Sequence, residues 1–373
     1  KPHSELARYG RSKEKRLDCP LVVFTAVVNA EGFIRHSRTY EGNKPDSQSM
    51  EDMLADLSKA YEGSPSKGST KPTVVIDAGI ATEENLSLLE ENGYSYVCVA
   101  RSQIKDYVLN EKKMEVVTTR NKETIRLQQL QVADQKDTWL YVESPAKKRK
   151  EQSIDQKLTK RFEEQLEDIK AALHKKGGTK VIHKVYERIG RVKEKNKRVA
   201  HLYEITVEDK DGKAVQLQWE KKKASKPKED KKNGVYFIRT NLKTSSESAL
   251  WKIYNTIREV ESTFRCLKTD LNIRPIHHQK DERIQAHIYL TVLAYQLVNT
   301  IRHQTKKAGI HDDWQNILRK ANTQNIQNIL LPTMQKTIHL RKPSRPMASL
   351  KEIYQACKCE NTIEAIRKYV VYH

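Results

Sequence analysis

The chain has 373 residues, with 69 Lys and Arg against 48 Asp and Glu, and 37% of it is hydrophobic. That size suits one large globular domain or two to three smaller ones. The net charge of +21 favours a polyanionic partner over a merely solubilising surface, because Lys and Arg bind nucleic acid by releasing phosphate counterions. No stretch approaches the ~20 apolar residues of a membrane span. The most apolar run, 284–301, is interrupted by Gln285, His287, Gln296 and Asn299 and reads as a buried core helix. The five cysteines are scattered and odd in number, which predicts free thiols in a reducing, cytoplasmic setting.

The first 18 residues are polar and basic without an apolar period. Two runs follow, LVVFTAVVN at 21–29 and 33–40, rich in β-branched and aromatic residues and separated by Asn29-Ala-Glu-Gly32. That pattern predicts a β-hairpin. Residues 46–60 place Met50, Met53, Leu54 and Leu57 on one helical face, with Asp46 or Ser47 as N-cap. A Gly/Ser/Pro loop at 63–72 leads into Thr73-Val-Val-Ile-Asp77, a short strand ending on a carboxylate. A helix at about 82–92 and a strand at 94–100 follow. The alternation indicates an α/β sheet with parallel members.

After residue 104 the segments 114–119, 124–130, 138–142, 202–207, 215–219 and 234–240 read as strands, interrupted by one helix at about 153–175. Between 147 and 232 there are 27 Lys and Arg against 15 Asp and Glu, a net +12, ending in a low-complexity lysine linker at 221–232. From 247 to 271 and from 280 to 304 the helical period is sustained. The stretch 306–373 also reads as helical.

Two constellations can carry chemistry. Asp77 stands at the C-terminal end of a buried strand, where α/β sheets place ligands and metals; it reads equally as a helix N-cap or a turn residue ahead of Gly79. In the segment 254–268, Tyr254, Glu261 and Lys268 lie seven apart, close to two helical turns, and so share one face. Ile257, Phe264 and Leu267 share or adjoin that face, which predicts a packed setting. A carboxylate there, flanked by Lys, Arg and Tyr, suits a divalent ion at a phosphodiester, with Arg258, Arg265 or Lys268 gripping phosphate. The alternative is a solvated charged helix. Trp219, in the basic region, reads as core or as a stacking surface for an unpaired base. His277 and His278 read as a solvated loop.

Four segments carry a resemblance. They are Tyr9-Gly-Arg-Ser-Lys-Glu-Lys-Arg-Leu-Asp18 before an apolar strand, Tyr40-Glu-Gly-Asn-Lys-Pro-Asp46, Val74-Val-Ile-Asp77-Ala-Gly79, and Tyr254 to Lys268. The motif Arg274-Pro-Ile-His-His-Gln-Lys-Asp-Glu-Arg283 extends it. Together they resemble the catalytic domain of DDE transposases, specifically the large insertion-sequence family four with its Tyr-Arg-Glu-Lys signature, over roughly residues 1–305. The resemblance implies a ribonuclease-H-like α/β domain interrupted by a β-rich insertion: residues 1–103 and 241–305 form the domain, 104–240 the basic insertion, and 306–373 a helical C-terminal part. It implies Asp77 and Glu261 as catalytic metal ligands, two Mg²⁺ or Mn²⁺ ions, and Tyr254, Arg258, Arg265 and Lys268 at the DNA, to which the stacking reading of Trp219 would add a base contact. The expected partners are double-stranded DNA, as transposon ends and target, and a second copy in a homodimer. Two departures accompany it. Ile257 occupies the signature Arg offset, so that Arg258 takes the role only if the helix is rotated or distorted. The first catalytic Asp, expected in a strand ahead of the basic connector, has no counterpart here, so the chain resembles an amino-terminally truncated transposase, expected to bind DNA but to cut poorly by itself. A non-catalytic DNA-binding remnant and a metal-dependent nuclease of the same fold are the alternative readings.

Overall fold

A computed structural model of the chain describes residues 4–10, 18–62, 71–101, 104, 107–119, 121–132, 136–222, 233–243, 246–359 and 366–372, apart from the side chains of 46, 47 and 60–62. The greater part of the basic connector, the loop at 63–70 and most of the lysine linker lie outside these. In chain order the elements are β1 (Val22–Val28), β2 (Ile34–Glu41), α1 (Met50–Glu62), β3 (Val74–Ile76), α2 (Glu83–Glu91), β4 (Tyr96–Val99), β5 (Glu115–Thr118), β6 (Thr124–Gln131) and β7 (Thr138–Glu143). Then come α3 (Pro145–His174), α4 (Ile182–Lys195), α5 (Lys197–Ala200), β8 (Tyr203–Lys210), β9 (Lys213–Lys221) and β10 (Val235–Thr240). The C-terminal third holds α6 (Glu247–Asn255), α7 (Ile257–Arg265), a π-helical turn (Cys266–Asp270), α8 (Asp281–Lys307), α9 (Trp314–Ala321), β11 (Ile326–Pro332), β12 (Lys336–Pro343), α10 (Ala348–Cys357) and β13 (Arg367–Tyr372). The class is mixed α/β.

The chain divides into two compact units, one of residues 1–94 and 254–373, the other of residues 95–253. The second unit reaches beyond both ends of the stretch 104–240 that the resemblance implies as an insertion. Within each unit every described strand pairing is antiparallel.

In the first unit, β1 and β2 form the predicted hairpin. Its turn is held by the Asn29 side chain, whose Oδ1 accepts from the backbone N–H of Glu31 at 3.1 Å and of Phe33 at 2.8 Å. Gly32 adopts φ +86°, a conformation that favours glycine. The pleat then sorts the hairpin by face. Phe24, Ala26, Val28 and Ile34 pack on Cys266, Leu267, Tyr295 and Val298, so that the turn after α7 and helix α8 cover one side. Thr25, His36 and Arg38 face α1. There the Thr25 hydroxyl lies 3.4 Å from the Met53 sulfur, and Asp56 accepts from His36 at 2.8 Å and from Arg38 at 2.7 Å.

Helix α8 grips the hairpin turn by its carbonyls. Tyr295 donates to the Gly32 carbonyl at 2.6 Å, Gln296 to Ile34 at 2.6 Å and Asn299 to Glu31 at 3.2 Å. The Tyr295 hydroxyl also lies 2.7 Å from the Thr263 hydroxyl of α7, and both side chains are fully buried. Asp281, at the first position of α8, accepts from the Ser4 hydroxyl and from the backbone N–H of Glu5 and Leu6. These contacts hold its carboxyl below the usual range, the Ser4 hydroxyl foremost.

The second unit contains a sheet in the order β4–β10–β7–β6–β5, on which Phe237 meets Tyr107 and Tyr141 edge to face. A helical subregion follows, in which α3, α4 and the β8–β9 hairpin share a core of Ile169, Leu173, Val185, Ile189, Ala214 and Leu217. Here the sequence reading was incomplete. Helix α3 begins at Pro145 behind a Ser144 cap, eight residues before the expected start. Within the basic region 147–232 a second helix, α4, stands where no element was expected, and its Ile182, Val185, Ile189 and Val192 recur on one face. The segment 306–373 is likewise not simply helical: it contains the three-stranded sheet β11–β12–β13 between and after its helices.

Two outcomes are expected. Tyr295→Phe should lower unfolding free energy by about 1–2 kcal/mol, because the buried Gly32 carbonyl and Thr263 hydroxyl lose a shared partner; equilibrium denaturation measures it. The lowered carboxyl of Asp281 stabilises the N-terminal segment above the ordinary carboxylate pKa of ~3.9, and that contribution is lost as pH falls through the lowered value. The protection of the Glu5 and Leu6 amides, measured against their intrinsic exchange rates at each pH, should fall only on acidification in the wild type, and already at neutral pH in Asp281→Asn.

Candidate nucleic-acid and metal site

Asp77 follows β3 directly. Its backbone carbonyl accepts from Ile80 and Ala81 at 3.0 and 3.1 Å, and its side chain accepts from the Ala78 N–H at 2.8 Å. The residue thus shapes a tight turn, and its carboxylate is exposed at the end of the strand. The turn-residue reading of Asp77 is the one these hydrogen bonds display. The turn feeds α2, capped by Thr82, whose hydroxyl accepts from the Asn85 N–H at 3.2 Å.

The second constellation lies on α6, α7 and the π turn. The helix breaks at Thr256, between α6 and α7, and widens at Cys266–Asp270, where the Leu271 N–H reaches back to the Cys266 carbonyl at 3.0 Å. Such wide turns recur at functional positions. Arg258, Glu261, Arg265 and Lys268 are all exposed, and Tyr254 is half-buried at the start of the row. At about 100° per residue they share one stripe. The Lys268 ammonium lies 5.6 Å from the Phe264 ring centroid, within cation–π reach.

This stripe is more solvated than the spacing suggested. Ile257 and Leu267 are buried and turn away from it, and Phe264 packs edge-on against Phe24 at 6.2 Å. Ile257, at the offset where a signature Arg was expected, is 9% exposed and cannot present a cation to solvent. Arg258, one residue later, holds the exposed position beside Glu261.

The neighbouring acid behaves differently. Glu259 points to α8 and pairs with Lys306 at 2.9 Å, while Arg302 donates to the Ser262 hydroxyl at 2.7 Å. Cys266 belongs to the same packed side, and burial, reinforced by Asp270, pushes its thiol up to about 12. One face of the segment is therefore spent on packing, and the other carries Glu261 with no hydrogen bond or ion pair to any described residue. The sequence reading singled out Glu261 without weighing Glu259; the i, i+4 placement of Glu259 with the buried Thr263 was the available signal.

The remaining candidates lie on other elements. Trp219 is half-buried against the Phe162 and Ile169 clusters of the other unit, with the Lys170 ammonium 5.4 Å from its ring. His277 and His278 are exposed, and His278 meets the His287 ring edge-on at 5.7 Å. Many cations of the basic region stand in surface ion pairs, among them Arg198 with Asp155, Lys221 with Glu163 and Arg191 with Glu187. Among the described residues no three His, Cys, Asp or Glu side chains gather as a metal cluster. Asp77 and Glu261 are exposed carboxylates, the hard oxygen donors that a divalent ion takes.

If the stripe is free of structural duty, Glu261→Gln and Arg258→Ala should each change unfolding free energy by less than about 0.5 kcal/mol. Ile257→Arg, which installs the signature cation, should cost about 2 kcal/mol or more by burying an unpaired charge. Chemical denaturation of the three variants checks this.

Residues 2–297 match the family model described as the transposase DDE domain. No curated protein sequence matches the chain significantly.

Proposed function

The chain belongs to the DDE transposase family, and from that premise we propose that it cleaves and joins DNA at the ends of an insertion sequence, working as a homodimer from a ribonuclease-H-like domain. The family match spans both Asp77 and Glu261. The observation that carries the residue assignment is the exposed row of Arg258, Glu261, Arg265 and Lys268 on the family-matched helix, turned away from the face spent on packing.

In this reading Asp77 and Glu261 are the carboxylates that hold divalent metal, Mg²⁺ or Mn²⁺. Bound there, the metal supplies Lewis acidity toward a phosphodiester. Arg258 and Arg265 flank Glu261 by one turn on either side, so a phosphate drawn to the carboxylate-held metal meets guanidinium donors in a forked geometry. Lys268 adds a point charge further along the stripe. The half-buried Tyr254 sets the upper end of the row, with its hydroxyl as a donor to a phosphate oxygen. Trp219 and basic residues of the second unit are proposed as further DNA contacts, the cations acting chiefly through phosphates and so with little sequence information.

Fluorescence anisotropy with a duplex carrying the element's terminal repeats tests the DNA surface. Affinity should fall linearly with the logarithm of salt concentration, and the combined variant Arg258→Ala, Arg265→Ala, Lys268→Ala should reduce the slope by about 2–3, one phosphate contact per cation. Mn²⁺ binding followed by electron paramagnetic resonance tests the carboxylates: Asp77→Asn or Glu261→Gln should weaken it about tenfold or more. Unchanged Mn²⁺ affinity in both variants would overturn the metal assignment. In Mg²⁺, joined products identify a transposase, cut but unjoined products a nuclease of the same fold, and binding without cutting a DNA-binding protein.

A further inference from the structure

Helix α8 has a second face that the fold leaves uncovered. Its inner side is spent on Ile284, Ile288, Tyr295 and Val298, all buried. On the outer side Tyr289, Leu290, Leu293 and Leu297 are 58%, 67%, 60% and 66% exposed. Four large apolar side chains at this exposure present on the order of 400 Å² of contiguous surface, at the upper end of what a monomer usually shows solvent.

The pattern along this face is that of a helix seam. Ala286, Leu290, Leu293, Leu297 and Thr300 are spaced four, three, four and three apart, the alternation that lets two helices interlock. The row is close to symmetric about Leu293. Laid antiparallel on itself, it sets Leu293 against its own copy, Leu290 against Leu297 and Ala286 against Thr300. The polar ends agree. Exposed Glu282 and Lys307 lie on the same stripe, 11 residues before and 14 after Leu293. At 1.5 Å per residue, an antiparallel pair brings each Glu282 within about 5 Å axially of the partner copy's Lys307. A parallel pair sets like charges together and aligns the helix dipoles unfavourably.

We propose that the outer face of α8 is the surface by which two copies of this chain associate, as an antiparallel, two-fold pair of helices centred on Leu293. This rests on the homodimer reading above and supplies its interface. A second copy is the occupant favoured here because the stripe is complementary to itself in both spacing and charge, as an isologous contact requires. The leucine row supplies about half of the ~800 Å² per partner of a standard interface. The association is accordingly weak and concentration-dependent, with the flanks of α8 adding the rest.

Sedimentation velocity of the full chain over a concentration series, with and without duplex DNA, tests the proposal. The wild type is expected to dimerise, and Leu293→Glu to weaken dimerisation on the order of 100-fold with an unchanged thermal melt, since the position is exposed. Glu282→Lys should weaken it about threefold, and adding Lys307→Glu should restore it. In a variant lacking Cys19, Cys357 and Cys359, Leu293→Cys should form a disulfide-linked dimer on mild oxidation. If Leu293→Glu and the paired Leu290→Ser, Leu297→Ser variant still dimerise like the wild type, the α8 interface is overturned and the homodimer reading stands. A wild type that stays monomeric throughout, with and without DNA, overturns both.

Discussion

The hydroxyl of Tyr295 has no access to solvent, and it joins the Gly32 carbonyl of the hairpin turn to the Thr263 hydroxyl of α7. Burying such a group is favourable only when its hydrogen bonds are complete. Three elements far apart in sequence are therefore fixed to one another by a single satisfied atom. Gly32 is part of the constraint. A Cβ there would lie 3.2 Å from Asn299 Oδ1 and 3.3 Å from Glu259 Oε2, so the turn approaches both helices as closely as a glycine allows.

The orientation of the exposed stripe follows from that attachment. With Thr263 and Cys266 turned inward and Glu259 and Ser262 paired with α8, the helical period leaves Arg258, Glu261, Arg265 and Lys268 outward. The carboxylate proposed for metal binding is thus positioned by residues that never touch it. The same logic governs α8, whose inner face is consumed by the hairpin and α7 while its outer leucines stay uncovered.

The charge has a finer distribution than its total suggests. The region 147–232 holds +12 of the +21, yet several of its cations already face carboxylates at the surface. Solvated pairs of that kind contribute little to stability, and their cations remain available to exchange one anion for another. Arg258, Arg265 and Lys268, the cations of the stripe that holds Glu261, are fewer, and they are placed by a packed helix rather than by composition.

Much of this was legible in the residues themselves. The hairpin around Asn29–Gly32, the apolar face of α1 and the short strand ending at Asp77 are local patterns, set by turn chemistry and by periods of two and 3.6. The shared stripe of Tyr254, Glu261 and Lys268 is local in the same sense, since helical spacing alone aligns it. Other features were hidden because no local signal carries them. Helix α4 was masked by its charge, although its apolar residues recur correctly, because burial of Val185 and Ile189 depends on α3 and β9 arriving from elsewhere. The strands β11 to β13 were read as helical, since pairing between distant segments overrides weak local preference. Which of Glu259 and Glu261 is spent on packing, and whether position 257 or 258 presents the outward side chain, were likewise decided by tertiary contact. Periodicity defines a face, but only the arrival of Tyr295 and Lys306 decides which face is buried.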